Sequence, residues 1–171
     1  MDSEHPVSRG VTRVPTRADL IRICSALNEA GARYVVLGGA AIIELGLMRT
    51  TNDLDLLVDP DMGNVDRVCA ALSVLPDGAA REVRPGDVAE YVVVRINDEF
   101  TIDLMGAACG LTYRDAEPLI DWKDADGVRI PFASPMLLWK TKQPSREKDA
   151  LDRSFLRKWF ADHGQEPPAD A

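Results

Sequence analysis

Apolar positions along the chain fall into short runs whose spacing switches between helical and strand-like periods. Leu20, Ile23, Cys24 and Leu27 share one helical face, Thr16 with Asp19 forms a capping-box pattern, and Gly31 supplies a left-handed stop, so an amphipathic helix begins at Thr16. Arg33 to Leu37 is a β-branched, apolar run typical of a buried strand. Gly38-Gly39 ends it before the helix-prone stretch from Ala40 to Leu45. Arg49 to Asn52 is a polar connection into a second strand, Asp53 to Val58, which Pro60 terminates. Val65, Val68, Cys69 and Leu72 mark the next helix.

Tyr91 to Ile96 and Phe100 to Met105 are apolar runs joined by Asn97-Asp98-Glu99, the turn chemistry of an antiparallel hairpin. Val128 to Phe132 reads as a short edge strand because it carries Pro131. Ser134-Pro135 opens a helix from Met136 to Lys142. Pro144 breaks that helix, and Ser145 caps a last one with Leu151, Phe155, Leu156 and Trp159 on one face. The pattern predicts an α/β (α+β) fold with a mixed, mainly antiparallel sheet of about five strands flanked by helices. Residues 1–15 show no period and read as a flexible arm, 16–163 as a single domain whose last two helices occupy 134–161, and 164–171 as a disordered tail. No internal repeat is present.

Apolar residues at 46% and charged residues at 28% are ordinary globular usage, so the chain should bury a core. Acidic residues number 28 against 20 Lys and Arg, and a field of that sign gives no general help to a long duplex-DNA footprint. Cys24, Cys69 and Cys109 are far apart and His5 and His163 lie near the ends, which argues against a zinc site or a disulfide framework. The N-terminus lacks a signal-peptide layout and the longest apolar run, Val35 to Ile43, is too short for a bilayer. Cytoplasmic residence with no membrane partner is the expectation.

Candidate chemistry centres on aspartates. Asp53 and Asp55 project from the same side of their strand, about 7 Å apart along it at the usual rise per residue. Asp103 is a lone carboxylate on an otherwise apolar strand. Should that strand pair beside the Asp53 strand, the three converge. Carboxylates so close repel unless a cation neutralises them, and hard oxygen donors with no nearby His or Cys favour Mg²⁺ or Mn²⁺. The arrangement suits two-metal phosphoryl or nucleotidyl transfer, with Asp103 either binding a metal or taking the acceptor's proton. Gly38 and Gly39 lie where backbone N–H groups can approach phosphate. Arg49, Thr50 and Thr51 precede the acidic strand within reach of a triphosphate. Lys140, Lys142, Arg146 and Lys148 concentrate positive charge in an acidic chain, Lys140 being the favoured phosphate ligand.

Gly38-Gly39, then Arg49-Thr50-Thr51-Asn52-Asp53-Leu54-Asp55-Leu56, then Thr101-Ile102-Asp103-Leu104 resembles the polymerase-β-like nucleotidyltransferase superfamily. The match spans roughly residues 16–160 and looks closest to the AbiEii-type, toxin-like branch. The segment from Leu137 onward, with Lys140, Arg146, Lys148, Asp149 and Asp152, is similar to that branch's Lys, then Arg-x-Lys-Asp ending. The resemblance implies the nucleotidyltransferase fold, an NTP donor, two Mg²⁺ ions and transfer of an NMP group to an acceptor on protein, RNA or a small molecule. It also implies a toxin–antitoxin role with a cognate partner protein. Many relatives carry a serine after the first glycine, where this chain has Gly39. That departure leaves a second reading open, a non-catalytic NTP-binding or antitoxin-like module of the same fold.

Overall fold

The computed structural model describes residues 4–8 and 11–170. Its elements are strand β1 (Glu4–Ser8), helix α1 (Arg17–Glu29), β2 (Tyr34–Leu37), α2 (Gly38–Glu44), β3 (Asp53–Val58), α3 (Met62–Leu72), α4 (Asp87–Glu90), β4 (Val93–Asn97) and β5 (Thr101–Met105). There follow β6 (Ala107–Ala108), β7 (Leu111–Thr112), α5 (Tyr113–Ala116), β8 (Ile120–Ala125), β9 (Val128–Ala133), α6 (Pro135–Thr141) and α7 (Ala150–Asp162). The main sheet runs β1-β4-β5-β3-β2-β9-β8, and β6 and β7 form a separate ribbon.

From β4 to β8 the sheet is mixed and mainly antiparallel, as the hydrophobic pattern predicts: β4·β5, β2·β3 and β8·β9 are antiparallel, β3·β5 and β2·β9 parallel. It has more strands than the five expected. β8 went unread because Ile120–Ala125 is an edge strand, partly exposed and charged (Asp121, Lys123, Asp124), with no apolar run. β8 also displaces β9 from the edge. Pro131 is accommodated inside the sheet because β9 pairs with β2 only through Val36 and Phe132. β1, expected to be part of a loose arm, runs parallel to β4 from Glu4↔Val93 to Ser8↔Asn97. Backbone pairing along a free sheet edge makes that strand, which is why periodicity did not reveal it.

Helix α1 buries Leu20, Ile23, Cys24 and Leu27 as its spacing requires, and the Thr16–Asp19 capping box is complete. Asn64, wholly buried on α3, accepts from the Arg33 N–H and donates to the Arg33 and Asp59 carbonyls, fastening the start of β2 to the end of β3. Ser134 caps α6, accepting from the Leu137 N–H, with Pro135 at the first helical position. The last helix differs from expectation at its start. Ser145 does not cap it; a single 3₁₀ turn over Glu147–Asp149 leads into Ala150. Leu151 is 60% exposed, because the inward positions are taken by Asp152 and Arg153 together with Leu156 and Phe160.

Residues 164–170, expected to be a disordered tail, lie against the helical pair: the Trp139 indole N–H donates to the Pro168 carbonyl at 2.9 Å, and Arg153 pairs with Asp170 at 2.6 Å. Arg153 and Arg157 also stack over Trp139. Among the described residues, no helix is long and apolar enough to cross a membrane.

Candidate active site

β3 and β5 are adjacent and parallel, in a register that sets Asp55 directly beside Asp103 and Asp53 beside Thr101. Their apolar neighbours Leu54, Leu56, Ile102 and Leu104 are buried, and the alternation of strand side chains sends the aspartates together into a cleft. One carboxylate oxygen from each of Asp53, Asp55 and Asp103 lies within 4.8 Å of the others. Oxygen donors at that separation, from three strand positions held by a packed sheet, fit the ligand chemistry of a hard divalent cation.

The cost of this convergence appears in acidity. The Asp55 carboxyl is pushed up to about 7, first by burial and then by the charges of Asp53 and Asp103, with Lys142 and Lys148 opposing. Asp53 is raised as well, by burial and by Asp103, against the pull of Arg95 and Lys148.

Gly38 adopts a left-handed φ of +61°, and a Cβ there would collide with the Asp55 carboxylate. The glycine is thus required twice, for backbone conformation and for space. Gly39 is also closely enclosed: a Cβ on it would sit 2.6 Å from the Thr51 hydroxyl and 2.8 Å from Arg49 Nη2. A serine at this position would meet Arg49 and Thr51, which fill the space from the opposite side.

The cleft beside Asp55 and Asp103 encloses about 330 Å³, and Lys142, Arg146 and Lys148 line its far wall. Of the expected phosphate ligands, Gly38 lies in this cleft. Lys140 does not: it is exposed and faces a different hollow with Trp139 and Pro168. Lys142, two residues on and just past the end of α6, lines both hollows. Arg49, Thr50 and Thr51 line a third hollow of about 220 Å³ with Ala40, Ile43 and Leu54. From there Thr51 donates to the Asp53 carbonyl at 2.9 Å, and Arg49 reaches Asp152 at 3.1 Å.

Asp152, 2% exposed at its side chain, also receives Lys142 at 2.9 Å, while Asp149 lies 3.7 Å from the same ammonium. Asp149 further accepts from the Gln143 N–H at 3.0 Å. The basic wall is thereby tied to α7 and to the loop before β3.

Arg95 is the site residue that sequence reasoning missed. On β4 it stands opposite Asp103, donating from Nε at 2.9 Å and from Nη2 at 3.1 Å to its two oxygens, with Asp53 at 3.9 Å. The pairing of Asn97 with Thr101 sets Arg95 against Asp103 two residues further on, whereas a turn of Asn97-Asp98-Glu99 between Ile96 and Phe100 would set Arg95 against Thr101.

The likeness of this mixed α/β architecture to a solved structure shows a nucleotidyltransferase fold. The crystal structure of a candidate nucleotidyltransferase from Thermotoga maritima matches it with a TM-score of 0.54 and 17% identity, over 88% of this chain and 98% of that one. No protein-family model and no curated protein matches the chain.

Proposed function

We propose that this chain is a metal-dependent nucleotidyltransferase that moves an NMP group from an NTP to an acceptor hydroxyl on a protein, an RNA or a small molecule. The carrying observation is the convergence of Asp53, Asp55 and Asp103 within 4.8 Å at a cleft with a basic far wall. The trio would hold Mg²⁺ or Mn²⁺, which when bound neutralises the carboxylates and polarises the phosphoryl oxygens. Lys142, Arg146 and Lys148 supply cations for the triphosphate from across the cleft, and Gly38 leaves room for it to approach. Asp103 completes the metal's oxygen set or receives the acceptor's proton. Thr51 and Arg49 act behind the cleft, by bracing Asp53 and the basic wall.

The likeness of the sequence motifs to the AbiEii-type branch supports placement of this enzyme in a toxin–antitoxin pair, in the cytoplasm, with a cognate protein that controls it. With Mg²⁺ and labelled NTP, the purified chain should label an acceptor in its own lysate, and Asp53→Asn or Asp55→Asn should abolish the label. Equal labelling by wild type and variants would end the proposal.

The filled seat at Gly39 favours one further reading, a module of the same fold that binds NTP without turning it over. Tight NTP binding that persists in EDTA, with no pyrophosphate released on any acceptor, would select it.

A further inference from the structure

Arg95 presents a two-pronged fork to Asp103, Nε on one oxygen at 2.9 Å and Nη2 on the other at 3.1 Å, so both oxygens of this carboxylate are engaged inside the protein. The pairing is built in rather than incidental: the two residues face each other across an antiparallel strand pair, and the Asp103 side chain is only 8% exposed. Among the described residues Asp53 is held by no such fork; the same Arg95 lies 3.9 Å from it. Asp55 lies against Gly38 and, among the described residues, has no ion pair within 4.0 Å. The three carboxylates therefore differ in readiness, although all lie within 4.8 Å.

We propose that Arg95 is a positioning residue that withholds Asp103 from the resting metal site, so that the nucleotide-free chain holds one divalent ion on Asp53 and Asp55. A second ion requires the fork to release Asp103, and the triphosphate is the anion able to draw the guanidinium away, since Arg95 also lines the cleft. This rests on the metal-dependent reading above.

Mn²⁺ titration of the full chain without nucleotide, followed by loss of the free-ion paramagnetic resonance signal, tests the idea. Wild type should bind one Mn²⁺. Asp103→Asn should still bind one with unchanged affinity, whereas Asp55→Asn should weaken it at least about tenfold. Arg95→Gln should gain a second Mn²⁺, and Arg95→Lys, which cannot grip both oxygens, should gain it more weakly. Two ions on wild type, loss of the resting ion in Asp103→Asn, or a single ion on both Arg95 variants would overturn the role of Arg95 while leaving the metal reading intact. No Mn²⁺ on wild type or any variant would overturn both.

Discussion

The Asp55 carboxylate occupies the volume that a side chain on Gly38 would need. The turn and the metal candidate are therefore one steric unit. Gly38→Ala meets two penalties, about 1–2 kcal/mol for an L-residue in the left-handed region and the displacement of Asp55 from its place beside Asp103. Chemical denaturation should show at least that loss of stability, and Mn²⁺ affinity should fall with it. A variant that loses stability but binds Mn²⁺ as wild type does would show that Asp55 need not stay where the sheet puts it.

Placing a serine at Gly39 should not improve nucleotide binding. The new Cβ would lie 2.6 Å from Thr51 Oγ1 and 2.8 Å from Arg49 Nη2, distances that force one of them away. Thr51 then loses its bond to the Asp53 carbonyl, or Arg49 its contact with Asp152. Gly39→Ser should destabilise the chain by about 1–3 kcal/mol, in the range of overpacked sites, and leave NTP affinity no better. Calorimetric titration with NTP that shows a gain would identify the serine seat as open.

The central part of this architecture is legible in the sequence, because helix α1, strands β2 and β3 and the β4–β5 hairpin each bury residues at the period their sequence displays. The aspartate trio followed from those strands. Other parts depend on partners distant in sequence. β1 and β8 exist through edge pairing, and the inward face of α7 is charged because Asp152 and Arg153 find Lys142, Arg49 and Asp170. Lys140 and Lys142 differ by two positions at the end of a helix, and only the geometry of the helix end decides which enters the cleft. Arg95 needed register, and a turn of Asn97-Asp98-Glu99 sets it two residues out, against Thr101 instead of Asp103.

Removing the Asp152 carboxylate should separate fold from function. Its oxygen receives both Lys142 at 2.9 Å and Arg49 at 3.1 Å, and both partners are largely withdrawn from solvent. Breaking a buried pair by deleting one member strands the other, typically at about 3–5 kcal/mol. Asp149 still lies 3.7 Å from Lys142, so Asp152→Ala should fall at the lower end of that range. The double variant Asp152→Ala/Lys142→Met should recover part of the stability in urea denaturation, since it removes the stranded ammonium. Nucleotide affinity should not recover, because Lys142 also faces the cleft. Recovery of both would reduce Lys142 to a structural residue.

Acidity gives the last prediction its sign. Asp55 titrates at about 7 in the metal-free fold against 3.8 for an ordinary aspartate, so between those values the folded chain holds a proton that the unfolded chain has released. Folding is then favoured by acid through this group, and its contribution to stability declines as pH rises from about 4 towards 7. A divalent ion must displace that same proton, so it binds better as pH rises through the window and offsets the repulsion among Asp53, Asp55 and Asp103. The rise in melting temperature caused by excess Mg²⁺ should therefore grow from pH 5 and level off above the Asp55 value of about 7. Asp55→Asn removes both the proton and the ligand, and should flatten the profile while raising the melting temperature of the metal-free chain at pH 8. A Mg²⁺ effect that is the same at both ends of the window, in wild type as in Asp55→Asn, would place the ion elsewhere.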